Sequence, residues 1–332
     1  MALGNDLSVL EICAGAGGQS SGLENAGFGH ALAVEIDKDA ASTLRLNRPD
    51  WNVLEADVRE VSGTDYRGID LLAGGVPCPP FSIAGQQLGA DDERDLFPEA
   101  MRLVDEARPE AVMLENVRGL ATARFANYRQ SILDTLDELG YEADWQLLYS
   151  SEYGVPQLRP RFVLVAFKKG NLENFKWPSP AGTPPSVGKV LKPLMAERGW
   201  LGATQWARGA NAIAPTLVGG SKKHGGADLG PTRAKEAWLK LGVNGKGIAD
   251  EAPGPDEAMD HIPKLTNIMA ARVQGFDKKW RFAGRKTSVY RQIGNAFPPP
   301  VATAIGESIA VAIGASSESS RSTRGTQLRS VS

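Results

Sequence analysis

Cysteine and histidine are scarce in this chain: its 332 residues hold two cysteines, Cys13 and Cys78, and three histidines, His30, His224 and His261. Two cysteines far apart and outside any CxxC pair exclude a disulfide framework and a cysteine zinc site. Three scattered histidines do not complete a metal shell, so no metal is expected. No apolar run reaches the ~18 residues that a membrane span needs. The opening Met1-Ala2-Leu3-Gly4-Asn5-Asp6 lacks the basic and apolar regions of a signal peptide, and a cytoplasmic protein without membrane contact is expected. With 42% hydrophobic and 23% charged residues, disordered and collagen-like classes are also out. At roughly 150 residues per domain, the length suggests two domains, or one large domain with an insertion.

The net charge of −2 hides a division along the chain. Residues 1–167 carry 13 Lys and Arg against 27 Asp and Glu; residues 168–265 carry 14 against 9, and residues 266–332 carry 10 against 3. An acidic first half followed by a basic second half suits a polyanion met mainly by the second half.

Short β-type runs alternate with helical stretches in the first half, the pattern of a mostly parallel sheet with helices on its faces. Strands are expected at 9–13, 31–36, 53–56, 69–73, 111–115, 145–150 and 161–167. Helices are expected at 21–26, 40–47, 98–107 and 128–139, the last closed by Gly140. From Lys168 the texture changes. Pro178, Pro180, Pro184 and Pro185, with many glycines between 202 and 254, break periodicity and predict an irregular module. Thr266 then caps a helix over Asn267–Gln274 that Gly275 stops. Val301, Ile305, Ile309 and Ile313 recur every fourth residue, as on a helix with one apolar face. The Ser- and Arg-rich stretch beyond Gly314 has too little apolar surface to order itself.

The first strand runs into Glu11-Ile12-Cys13-Ala14-Gly15-Ala16-Gly17-Gly18, and the second ends in Glu35-Ile36-Asp37. Glycines let the backbone turn tightly against a ligand, and a carboxylate at the second strand end can accept hydrogen bonds from two ribose hydroxyls. Either a nicotinamide or an adenosyl cofactor satisfies that pattern. Asp57, a third acidic strand end, has the chemistry to accept the exocyclic amine of an adenine.

Strand four leads to Gly74-Gly75-Val76-Pro77-Cys78-Pro79-Pro80-Phe81-Ser82. A cysteine at the carboxyl end of a parallel strand stands where such sheets place ligands, and prolines on both sides hold it on a rigid elbow. Its surroundings favour a nucleophile over a buried small hydrophobe. Strand five delivers Glu115-Asn116-Val117 to the same sheet edge. Gln157-Leu158-Arg159-Pro160-Arg161 spaces two arginines by two, so on an extended chain both face one side. Their planar forks suit phosphate or carbonyl oxygens.

These blocks, in this order, resemble the DNA (cytosine-5)-methyltransferases of bacterial and phage modification type. The likeness rests on the Pro77-Cys78 elbow, Glu115-Asn116-Val117, Gln157-x-Arg159-x-Arg161, Arg272-Val273-Gln274-Gly275-Phe276 and the closing Tyr290-Arg291-Gln292-Ile293-Gly294-Asn295-Ala296-Phe297-Pro298-Pro299. Cys13 stands where an aromatic is usual, Val76 and Pro79 replace the commoner Pro and Gln, and Asp277 replaces a common proline.

The resemblance implies a doubly wound mixed α/β sheet, Rossmann-like, formed by 1–167 with 288–313. A smaller, irregular, β-rich target recognition domain would span 168–287, with an unordered tail over 314–332. It implies that Cys78 adds to carbon 6 of a flipped cytosine, that Glu115 stabilises N3, that Arg161 holds O2 and that Arg159 lies nearer the phosphate backbone. S-adenosylmethionine would be held by Cys13, Gly15, Gly17 and Gly18, by Glu35 and Ile36 at the ribose, by Asp57 and Val58 at adenine, and by Pro77, Asn295 and Ala296. Residues 81–97 would close over duplex DNA, with Ser82 and Arg94 at the nucleic acid together with Gln157. In the basic module Arg208, Lys222, Lys223, His224, Arg233 and Lys235 are candidates for phosphate or guanine, and Gln205, Asn211 and Thr216 for other base edges. A monomer is expected, close to the nucleoid, with a restriction endonuclease as genetic partner. A nicotinamide oxidoreductase leaves Cys78, Glu115 and the arginines unexplained. A transfer-RNA methyltransferase would usually carry a Cys-Phe-Thr tripeptide, absent here, and a non-catalytic relative would tend to lose the nucleophile.

Overall fold

The computed structural model describes residues 7–77, 95–219 and 227–329, with side chains of the last helix described to residue 314. Seven strands form one sheet in the order β3-β2-β1-β4-β5-β7-β6. They are β1 (Leu7–Ile12), β2 (Phe28–Val34), β3 (Val53–Leu54), β4 (Leu71–Gly74), β5 (Ala111–Val117), β6 (Tyr141–Tyr149) and β7 (Pro160–Lys168). β1 to β5 run parallel, and β7 lies antiparallel between β5 and β6. Strand order reverses at β1, whose neighbours are β2 on one side and β4 on the other. Crevices at such a switch point, beyond the carboxyl ends of the strands, are where ligands bind in open α/β sheets.

Helices α1 (Gly18–Asn25), α2 (Lys38–Asn47), α3 (Phe97–Ala107) and α4 (Ala126–Glu138) cover the sheet. α2 starts where Asp37 accepts hydrogen bonds from the amides of Asp39 and Ala40, an N-cap that fixes the turn after β2. Of the stretch 81–97 expected as the closing loop, Phe97 instead begins α3, and Asp95 just before it is buried and accepts from the Phe97 amide.

Between 168 and 265 the chain is irregular, as its prolines and glycines require, but the β-rich expectation is corrected. The described residues of this span form α5 (Val187–Ala196), α6 (Ala203–Gly209) and α7 (Thr232–Lys240) and no strand, only isolated bridges of Gln157 with Ala214 and of Ala249 with Thr266. Trp200, Trp206 and Trp238 of this span join one apolar cluster with Phe276, Trp280 and Ile293, and with Ala14, Ala33 and Leu44 of the sheet half. Trp238 is fully buried.

α8 (Asn267–Gln274) has the expected bounds, with Thr266 accepting from the Met269 amide and Gly275 in the left-handed region at φ 91°. α9 (Lys286–Asn295) follows, and α10 (Pro299–Arg329) returns along α1. Their approach needs small residues: a Cβ on Gly22 would meet the Ala302 Cβ at 2.5 Å, and one on Gly306 would meet Ala26 at 2.8 Å. Residues 286–314 have the length and hydropathy of a membrane span, although no single apolar run suggested it. Here Val301, Ile305 and Ile309 are buried in the fold against Leu23 and Phe28. The backbone continues as helix to Arg329, where an unordered tail was expected. Extending an existing helix costs far less than nucleating one.

Candidate active site

A cavity of about 1120 Å³ opens at the carboxyl ends of β1, β2, β4 and β5. Its floor is the glycine turn. Gly15 sits at φ 58° and Gly17 at φ 84°, a left-handed region that disfavours side chains. Gly18 allows the last motif to lie on the turn, since a Cβ there would fall 2.2 Å from the Phe297 carbonyl oxygen. α1 begins here with no side-chain cap, so its first-turn amides and the positive end of its dipole are left for a ligand.

Glu35 is buried beside the turn. Its Oε2 accepts from the Gly15 amide and its Oε1 from the Asp37 amide, both at 2.7 Å. Burial holds its carboxyl above the usual range, while these amides act in the opposite direction. Ile36 is 68% exposed on the cavity wall, an apolar surface suited to a flat ring. Asp57 is half-buried, with its carboxylate on the Arg59 amide at 3.0 Å and on the Arg59 guanidinium at 2.9 Å. Val58, Pro77, Asn295 and Ala296 complete this end of the cavity. Cys13 also lines it, in the left-handed region at φ 51°. Burial, followed by the charges of Glu35 and Asp57, pushes its thiol up to about 12.

At the other end stand Glu115 and Arg161, diagonal neighbours on the paired antiparallel strands β5 and β7. The Arg161 Nε lies 2.6 Å from a Glu115 carboxylate oxygen, and each side chain is 10% exposed. Burial lowers the pKa of Arg161 and the neighbouring Glu115 opposes that shift. Gly75 makes room for the carboxylate, since a Cβ there would meet Glu115 Oε2 at 3.3 Å. Asn116 donates to the Val76 carbonyl at 2.8 Å and fixes the end of β4 against β5. Spacing along one strand did not reveal this bond, which joins two strands.

The expectations for Arg159, Gln157 and Gly17 need correction. Arg159 is fully buried and donates to the carbonyls of Leu217, Gly294 and Ala296 at 2.6, 2.7 and 2.8 Å. It holds internal backbone and is not placed at phosphate. Its own φ of 24° turns the chain out of the extended form that would have put both arginines on one side. Gln157 is likewise buried, bonded to Gln274 and to the Leu217 amide. Gly17 does not face the cavity: it faces Trp280 and Leu44. Arg208 and Arg233 are exposed on α6 and α7, outside the cavity lining. Cys78, Ser82, Arg94, Lys222, Lys223 and His224 lie outside the described residues. Among the described residues no group of three or more His, Cys, Asp or Glu is arranged to hold a metal ion.

A doubly wound sheet with an acidic second strand end beside an uncapped glycine turn defines a Rossmann-like fold of the kind that binds a nucleotide-bearing cofactor. The profile of the C-5 cytosine-specific DNA methylases matches residues 7–311. The chain is 61% identical over 311 residues to the Type II methyltransferase M.NaeI of Lentzea aerocolonigenes, covering 92% of this chain and 75% of that one. It is 54% identical over 308 residues to the Type II methyltransferase M.NgoMIV of Neisseria gonorrhoeae, covering 92% and 97%. A solved structure from an Escherichia coli prophage, described as a DNA modification methyltransferase, superposes with a TM-score of 0.67 at 25% identity over 93% of this chain and 100% of its own. DNMT2 of Spodoptera frugiperda, at 18% identity and a TM-score of 0.65 over 92% and 99% of the two chains, shares the fold. The chain belongs to the C-5 cytosine-specific DNA methylase family and is a DNA (cytosine-5)-methyltransferase.

Proposed function

We propose that this protein methylates carbon 5 of a cytosine flipped out of a short, specific duplex sequence, as the modification half of a restriction-modification system. It would act as a monomer on chromosomal DNA in the cytoplasm. The carrying observation is the Glu115–Arg161 pair 2.6 Å apart at the far end of the cavity from Glu35. A pyrimidine needs its N3 and O2 held together, and a carboxyl group beside a guanidinium offers both at one edge.

The residues fit S-adenosylmethionine. Glu35 keeps lone pairs for the ribose hydroxyls, Ile36 and Val58 offer apolar surface to adenine, and the free amides of α1 suit the amino-acid carboxylate. Asp57 takes the adenine amine while held by Arg59. S-adenosylmethionine, when bound, would supply an electrophilic methyl group: as the C5–CH3 bond forms, the sulfonium S–CH3 bond breaks and its electron pair stays on sulfur, leaving S-adenosylhomocysteine. The thiolate of Cys78 adds to C6, forming the S–C6 bond and loading electron density onto C5. Glu115 stabilises the change at N3, and Arg161 neutralises charge growing on O2. Loss of the C5 proton to a base then expels the thiolate and restores the ring.

Exposed Arg208 and Arg233 support a basic module on DNA, with Ser82, Arg94, Lys222 and Lys223 as further contacts, and affinity should fall steeply with salt. A transfer-RNA substrate is not favoured by the family match. Bisulfite sequencing of plasmid DNA from cells expressing the protein, beside a Cys78→Ala control, tests the reading. Conversion-resistant cytosines within one short motif, lost in the control, would support it; full conversion in both samples would sink it.

A further inference from the structure

Trp280 stands outside every motif that carries the chemistry, yet it touches the cofactor turn. Its indole Nε1 donates to the Ala16 carbonyl at 3.0 Å, across 264 residues of sequence. Its ring fills the space under Gly17, where a Cβ would fall 2.5 Å from Trp280 Cζ2 and 2.8 Å from Leu44 Cδ2. The peptide joining Ala16 to Gly17 is thus held at both ends, since the Gly17 amide donates to the Ala14 carbonyl at 3.2 Å. A peptide plane bonded on both sides cannot rotate without losing both bonds.

The indole is itself anchored. The Arg281 amide donates to Asn47 Oδ1 at 2.9 Å, and Asn47 Nδ2 donates back to the Arg281 carbonyl at 2.6 Å. The Ala283 amide donates to Thr43 Oγ1 at 2.9 Å. Arg48, paired with Glu24, lies 5.2 Å from the Trp280 ring centroid. Residues 280–283 are therefore fastened to α2, and Trp280 reaches from that mount to the underside of the turn.

We propose that Trp280 is a positioning residue for the cofactor. It fixes the Ala16-Gly17 peptide so that the uncapped first-turn amides of α1 keep the direction that S-adenosylmethionine requires. The inference rests on the reading of the glycine turn as the cofactor site. It goes beyond that reading in placing part of the cofactor affinity in a residue that never touches the cofactor.

The test uses full-length protein and radiolabelled S-adenosylmethionine in equilibrium dialysis, with steady-state rates on duplex DNA. Trp280→Phe keeps a ring under Gly17 and removes the indole N–H. Loss of one hydrogen bond should raise Kd and KM for S-adenosylmethionine about fivefold to tenfold. The kcat should stay within about twofold, and duplex affinity measured without cofactor should not change, since the bond touches neither the reacting atoms nor DNA. Trp280→Leu should raise KM further, with the same split. A Phe variant with a lower unfolding midpoint and unchanged KM would overturn the proposal, as would equal losses in kcat and duplex affinity. Wild-type protein that bound no S-adenosylmethionine would instead refute the cofactor reading beneath it.

Discussion

Glu115 and Arg161 meet diagonally across two antiparallel strands, Glu115 standing opposite Val163 and Arg161 opposite Val117, with the Arg161 Nε 2.6 Å from the Glu115 carboxylate and both side chains almost out of solvent. Each compensates the other's burial. Truncating Arg161 to Ala leaves a buried carboxylate with no cation, which should destabilise the fold by about 3–5 kcal/mol. Arg161→Lys keeps the charge but loses the planar fork, and turnover should fall by roughly 10–100-fold while the unfolding midpoint shifts less than in the Ala variant. Denaturant melts and single-turnover rates on one duplex check both. A Lys variant at wild-type rate would remove Arg161 from the reaction.

The buried carboxyl of Glu35 titrates above the usual carboxylate range because burial penalises its charge. In the proposed cofactor site, ribose hydroxyls would donate to the ionised form. As pH falls through that raised value, S-adenosylmethionine affinity should fall, beginning at higher pH than an ordinary glutamate would produce. Stability behaves differently. A carboxyl whose folded pKa is raised favours the fold most below its unfolded pKa, and that contribution disappears as pH rises through the folded value. Acidification should therefore weaken cofactor binding without a matching loss of stability from Glu35. Glu35→Gln should weaken binding at neutral pH and flatten its acid limb, as isothermal titration at several pH values would show.

Cys13 is held as a neutral thiol, its pKa pushed up to about 12 by burial and by Glu35 and Asp57. Alkylation proceeds through the thiolate. At pH 8, iodoacetamide should modify Cys78 and leave Cys13 intact. Peptide mass spectrometry should find one modified site in the wild type and none in Cys78→Ser. Rapid labelling of Cys13, which is half-buried on the cavity wall, would contradict its raised thiol pKa.

Arg159 binds three backbone carbonyls from two segments far apart in the chain. Arg159→Met should lower stability by about 2–4 kcal/mol, because those acceptors stay buried without their donor. The salt dependence of duplex binding should not change, whereas losing a phosphate contact would reduce the slope by about one. Urea unfolding and affinity at several salt concentrations separate the two roles.

The catalytic half of the fold was legible because parallel strands leave a local signature: an apolar run ending in Gly, Asp or Glu. The ends of β1, β2 and β5 carried Gly15, Glu35 and Glu115 to one edge, and β4 leads to Pro77 there. α8 was legible from its Thr266 cap and Gly275 stop. α9 was not, because Arg285 provides no side-chain cap and Gly294 lies inside the helix. α5 was hidden by Pro193 within it. The fate of Arg159 was decided by one left-handed backbone angle, which no spacing rule reveals. Trp280 was missed because its partner, Ala16, lies at the other end of the sequence.

The closure of the glycine turn by Phe297 and Trp280 orders events during synthesis. A ribosome that has made β1 to β5 has built the sheet edge, but the walls from residues 280–297 do not yet exist. Such distant closures form late in folding, after the cost of closing the loop has been met. A growing chain therefore has no complete cavity at this sheet edge until nearly 300 residues have been joined. The glycine turn is thereby walled in only once residues 280–297 have been made, and fragments ending before α9 would display it without the Phe297 backbone that lies on Gly18.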